Sequence, residues 1–159
     1  TGGDALSFSE DQLQGFFAQA WQLSPQADRM GARLCGAALT VPALAPARQW
    51  SQGVSTGAIQ VPADGQPIIL LADRQTTGGY PKIASVISAD IPALGRLKAG
   101  APIGFQPVTL DEAVEARRQM LDDIDALGSY ATALPATPPD LMPRLLECNL
   151  ISGVFDAAA

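Results

Sequence analysis

The run Pro67-Ile68-Ile69-Leu70-Leu71-Ala72 constrains this chain more than any other stretch. Six apolar residues without a polar break, entered through Gly65, suit a short strand buried on both faces, and such a strand demands a sheet around it. The run then stops in polar groups. Asp73, Arg74, Gln75, Thr76 and Thr77 supply a carboxylate, a guanidinium, an amide and two hydroxyls. Gly78 and Gly79 follow, able to take positive φ and to approach a ligand closely. Tyr80 and Pro81 close the loop, and Ile83 to Ile87 leads back into the core. A polar, glycine-hinged loop held between two core strands is the usual placement of a site. The competing explanation is a wide hairpin in which Asp73 and Arg74 pair with neighbours and the glycines only turn the chain.

Composition narrows the chemistry. At 159 residues the chain fits one domain, long enough to bury a core without disulfides or metal. Hydrophobic residues make up 47% and charged residues only 16%, so part of the surface is expected to be covered by another subunit. A net charge of −6, with the ten Lys and Arg residues scattered, argues against nucleic acid and anionic membrane as partners. Histidine is absent, which removes the commonest general base, the commonest metal ligand and every Ser-His or Cys-His arrangement within the chain. Cys35 and Cys148 lie far apart without ligand spacing and read as buried small hydrophobes, so no metal site is expected. No apolar run reaches membrane-spanning length and the start does not resemble a signal peptide, which makes the cytoplasm the default location.

Taken in order, Ser9 with Gln12 forms a capping box that starts a helix. Leu13, Phe16, Phe17, Ala20 and Trp21 give it one apolar face, and Ser24-Pro25 stops it. Asp28-Arg29-Met30-Gly31 is a charged turn into a strand from Ala32 to Cys35, in which Arg29 and Arg33 either hold an anionic group as forks or pair with an acid such as Asp28. Val41 to Trp50 reads as an extended crossing loop. Gly53 and Gly57 suit tightly packed backbone before a strand from Ala58 to Val61. Within it Gln60 either ties neighbouring backbone together or addresses a substrate amide or carboxylate. Ala63-Asp64-Gly65 is a turn. Asp90 can cap a short helix with Pro92 in its first turn and Gly100 after its end, and Pro102 to Val108 reads as a strand. Thr109 with Glu112 is a second capping box, opening a long helix whose apolar face is Ala113, Ala116, Met120, Ile124 and Leu127 and which Gly128 ends. Residues 129–159 form an extended linker followed by an apolar tail expected to dock on the body or on a partner.

The strings GAIQVP at Gly57, GQPI at Gly65 and DRQTTGGYP at Asp73, with KIASVISADIP at Lys82, DRMGARL at Asp28 and NLISG at Asn149, resemble the second half of the biotin-dependent carboxyltransferase family. That family is also called allophanate hydrolase subunit 2, KipA or the 5-oxoprolinase C-subunit. The resemblance implies an α+β fold, a mostly antiparallel cyclophilin-like β-barrel lobe with covering helices, over residues 1–128. It implies a missing N-terminal lobe, so the chain is expected to be a fragment and inactive by itself. The implied partner is a KipI-type subunit, the implied substrate a small amide, 5-oxoproline or urea, and the implied cofactor either biotin, as carboxybiotin from a partner, or ATP.

Roles carried over onto the matching motif make Asp73 a base or orienter, with Arg74 stabilising anionic charge. Tyr80 stacks on the ligand or donates its hydroxyl. Gln60, Gln75, Thr76 and Thr77 bind the amide or ureido group, Gly78 and Gly79 admit it, and Arg29 and Lys82 complete the set. Donors at the end of a rigid strand suit a carbonyl on which charge develops. The alternative is a KipA-like regulatory partner of a kinase inhibitor that binds without turnover.

Overall fold

The computed structural model describes residues 8–41 and 51–131 of the chain. Residues 42–50 of the expected crossing loop from Val41 to Trp50, residues 132–159 of the expected linker and tail, and Cys148 lie outside the described residues, whereas Ser129 and Tyr130 at the start of that linker are helical rather than extended. The chain divides into two units, Thr1–Leu121 and Asp122–Ala159, and the first carries the sheet.

Helix α1, Glu10–Ala18, begins as its capping box requires: the Ser9 hydroxyl accepts from Gln12 N–H and the Gln12 amide oxygen accepts from Ser9 N–H at 2.7 Å. It ends sooner than the apolar spacing implies, because Gln19 is already extended and Trp21 belongs to strand β1, Trp21–Leu23. Trp21 still reaches the same core. Its indole N–H donates to the Phe16 carbonyl at 3.1 Å, one of the last carbonyls of α1 that the helix itself leaves unpaired.

Among the described residues six strands form one antiparallel sheet in the order β7-β4-β5-β2-β1-β8. They are β2, Gly31–Cys35; β4, Ala58–Gln60; β5, Ile68–Leu70; β7, Lys82–Ser85; and β8, Pro102–Ile103, together with β1. β8 is much shorter than the Pro102–Val108 strand expected, because the chain turns away after Ile103. The expected buried strand is β5, which lies in the middle, with Ile69 facing Ala32 on one side and Ile59 on the other. β5 and β7 both pair antiparallel with β4, so the loop joining them crosses over β4 and is not a hairpin. Among the described residues β7 and β8 are edges that do not pair, so the sheet is open where the resemblance implies a closed barrel.

Strand alternation sorts the core into two faces. Trp21, Leu34, Ile59 and Ile69 pack with Phe16 of α1 on one side. Val54, Ala58, Ile68 and Leu70 make a smaller cluster on the other. The second face lies under a separate two-stranded ribbon, β3 (Gln52–Gly53) paired with β6 (Thr77–Gly78). Cys35 is exposed rather than buried, since it falls on an outward position of β2. Gly57 has φ of +85°, and a Cβ there would meet the Val86 carbonyl at 2.7 Å, so only glycine fits where the chain enters β4.

Helix α2, Ile91–Leu94, has Asp90 at its N-cap position, but the carboxylate makes no capping bond. Helix α3, Leu110–Tyr130, continues through Gly128. Its Glu112 carboxylate accepts from both the N–H and the hydroxyl of Thr109, at 2.7 and 2.9 Å. These bonds, the backbone one first, hold the Glu112 carboxyl below its ordinary range. A depressed folded-state pKa contributes stability that is present above the unfolded value and lost as pH falls through the folded one. Acidification below the normal glutamate range should therefore fray the start of α3, and Glu112→Gln should remove that pH dependence. An NMR titration of the Ala113 and Val114 amides reads both. Among the described residues no helix is long and apolar enough to cross a membrane.

Candidate functional site

The polar segment after β5 stays stitched to the turn before β2. Leu71 N–H donates to the Met30 carbonyl at 3.0 Å and Asp73 N–H to the Arg29 carbonyl at 3.1 Å. Asp28 fixes that turn by accepting the N–H groups of Met30 and Gly31 at 2.8 and 3.0 Å. Arg29 and Asp73 thereby meet as a fork: Nε lies 2.9 Å from one carboxylate oxygen and Nη2 3.3 Å from the other. The side chains are 85% and 48% exposed, so the pair adds no more than about 1 kcal/mol to stability. Its effect is to orient a carboxylate at the surface.

The next residues turn toward β3 and β4. Arg74 Nε donates to the Val54 carbonyl at 3.2 Å, and among the described residues its terminal nitrogens make no hydrogen bond. Val54 N–H donates to the Thr76 carbonyl at 3.0 Å, and Thr77 and Gly78 pair with Gly53 and Gln52. Gln75 Nε2 reaches Gln60 Oε1 at 3.5 Å, a weak bond at best. Lys82, half-buried rather than solvated, donates to Gln52 Oε1 at 3.4 Å. Thr76, Thr77, Gly79 and Tyr80 are exposed, with Tyr80 at 51%.

Gln60 lies beneath this segment. It is 1% exposed, on the face shared with Ala58, Ile68 and Leu70, and its Nε2 has no hydrogen-bond partner among the described residues. An unpaired buried donor costs about 1–3 kcal/mol. Gly78 matters here for its size rather than for positive φ, which it does not have. A Cβ at Gly78 would lie 2.6 Å from Gln60 Nε2 and 3.5 Å from Val54 Cγ1.

Arg29, Asp73, Arg74, Gln75, Gly78, Lys82 and Gln60 are thus linked through one segment, while Arg33 is exposed on β2 outside it. Two contributors were not singled out from the sequence: Val54, whose backbone anchors Arg74, and Gln52, which receives Lys82. The stretch from Gly53 to Gly57 was the signal for Val54, and nothing in the sequence marked Gln52. A cavity of about 620 Å³ opens on the opposite face of the sheet, against Phe16, Phe17, Ile59 and Phe105, and no residue of 73–80 lines it. Among the described residues no group of three or more His, Cys, Asp or Glu side chains could hold a metal ion.

Comparison with known proteins agrees with the motif. The family described as carboxyltransferase domain, subdomain A and B, matches residues 1–107. The chain is 48% identical over 113 residues to the 5-oxoprolinase C-subunit of Haemophilus influenzae, covering 71% of this chain and 36% of that protein. It is 42% identical over 117 residues to the 5-oxoprolinase C-subunit of Escherichia coli, covering 74% and 37%. The crystal structure of Kluyveromyces lactis urea carboxylase superposes with a TM-score of 0.64 at 27% identity, over 74% of this chain and 11% of that one. The chain therefore spans little more than a third of the length of these two curated relatives.

Proposed function

The chain belongs to the carboxyltransferase-domain family, subdomain A and B, and from that premise we propose that it forms part of a subunit in a multi-subunit enzyme acting on a small planar amide, 5-oxoproline or urea. The observation that carries this is the Gln60 amide, a donor kept unpaired in an apolar setting beside the glycine of a polar motif. Buried donors without partners are rare, and a ligand carbonyl is the natural acceptor for one.

In this reading Asp73, oriented by Arg29, serves as base or orienter. Arg74 offers its terminal nitrogens to anionic charge. Gln75, Thr76 and Thr77 bind the amide around Gln60, Gly78 and Gly79 leave room for it, Tyr80 covers it, and Lys82 steadies the ribbon. The donor set fits a planar amide or ureido head group, that of biotin included. Carboxybiotin from a partner would supply an activated carboxyl group, and ATP a phosphoryl group. The enzyme is made whole by a companion lobe and a KipI-type subunit. The alternative is a KipA-like regulatory module that binds without turnover; what favours turnover is the similarity to 5-oxoprolinase C-subunits, and reconstitution separates the two.

The test is reconstitution. The chain joined to its companion lobe and mixed with the partner subunit should consume ATP in a manner that depends on 5-oxoproline or on urea. ATP consumption indifferent to both amides would sink the proposal.

A further inference from the structure

Resting on the amide-substrate reading, we infer that the β3–β6 ribbon is a movable cover over Gln60, and that a ligand carbonyl oxygen takes the Nε2 hydrogen bond once the ribbon lifts. Gln60 Nε2 is inaccessible in the structure, so a ligand reaches it only if something above it moves. What stands above it is the ribbon, whose Gly78 leaves no room for a Cβ against that nitrogen.

The ribbon is built to move. Each of its strands is two residues long, and among the described residues they pair with each other and not with the six-stranded sheet. Two-residue ribbons without a third strand are marginal in water and open at low cost. Among the described residues its side-chain ties to the body include the long bonds from Lys82 to the Gln52 amide oxygen at 3.4 Å and from Gln75 to the Gln60 amide oxygen at 3.5 Å, with Arg74 Nε on the Val54 carbonyl at 3.2 Å. The apolar cluster beneath it is small, Val54 with Ala58, Ile68 and Leu70. Gln60 is the one buried polar side chain beside that cluster among the described residues, where an apolar side chain of the same length would pack without an unpaired group. Lifting the ribbon, which carries Thr77 with it, uncovers Nε2 beneath the segment that carries Asp73. Closing it over a bound carbonyl pairs the donor and excludes water.

Two measurements on the full chain test the cover. Gln60→Met keeps the length of the side chain and removes the donor, so Tm should rise by about 2–4 °C. In hydrogen exchange the Val54 amide, bonded to the Thr76 carbonyl, should exchange at least about 100-fold faster than the Leu34 amide, bonded to the Pro67 carbonyl in the main sheet. A Tm lowered by several degrees would mean that Nε2 has a structural partner, and equal exchange at Val54 and Leu34 would mean that the ribbon stays shut; either result overturns the cover. In the chain assembled with its companion lobe and partner subunit, 5-oxoproline or urea should slow Val54 exchange about tenfold or more, and Gln60→Met should abolish the slowing. Slowing by neither probe, with the Tm and exchange results intact, would overturn the ligand class while the moving ribbon stands.

Discussion

Replacing Trp21 by alanine is expected to remove about 3–5 kcal/mol of unfolding free energy, a large share of the about 5–15 kcal/mol that holds a domain of this size together. Three losses add up at that position. The indole is fully buried and stacks at a tilt on Phe16, with ring centroids 5.8 Å apart. Gly36 packs so closely on it that a Cβ there would sit 2.7 Å from the ring, so a hole opens against backbone that cannot close in. Its N–H also satisfies the Phe16 carbonyl at the end of α1, which the truncation leaves bare. Trp21→Phe keeps most of the packing and loses that bond with a small part of the ring volume, so its cost should be about 2 kcal/mol, well below that of alanine. Equilibrium urea unfolding separates the two variants. A loss under about 1 kcal/mol for alanine would place the core somewhere other than the α1–sheet interface.

How much of this was legible depends on the distance over which each signal acts. Both capping boxes were readable because a cap is settled within four residues, and Ser9 with Gln12 and Thr109 with Glu112 make the bonds their spacing calls for. The buried strand at β5 was readable because an unbroken apolar run has few other uses. Trp21 misled because its place four residues after Phe17 suits a helical face, while a strand directly after the helix delivers it to the same core. The order β7-β4-β5 was invisible, since nothing in the letters between Asp73 and Pro81 says whether the chain returns beside its starting strand or crosses its neighbour. Arg29 posed a choice between an ion pair and a ligand contact. Its acid turns out to be Asp73, 44 residues away and a member of the motif itself, a pairing that only tertiary structure reveals. The unpaired state of Gln60 was likewise hidden, because the ribbon that buries it is drawn from two segments about 25 residues apart.

Asp73→Asn in the assembled enzyme is expected to lower turnover about 100-fold or more while leaving the fold intact. Stability should hold because the pair with Arg29 is exposed and contributes at most about 1 kcal/mol. Asparagine matches the carboxylate in size and keeps one oxygen for the guanidinium, so the loop after β5, held by the Asp73 and Leu71 N–H bonds to the turn at 29–30, has no reason to shift. What disappears is the negative charge and the basicity, and those are the properties that a proton-accepting or orienting carboxylate needs. Arg29→Lys should fall in between, near a tenfold loss, since an ammonium can neutralise Asp73 but cannot grip both of its oxygens at once and so leaves the carboxylate free to rotate. Circular dichroism and co-purification with the partner subunit establish that the variants assemble, and substrate-dependent ATP consumption then gives kcat and KM separately. A drop confined to kcat places Asp73 at the reacting atoms, a rise confined to KM makes it a binding group, and undiminished turnover in a properly assembled complex takes it out of the chemistry altogether.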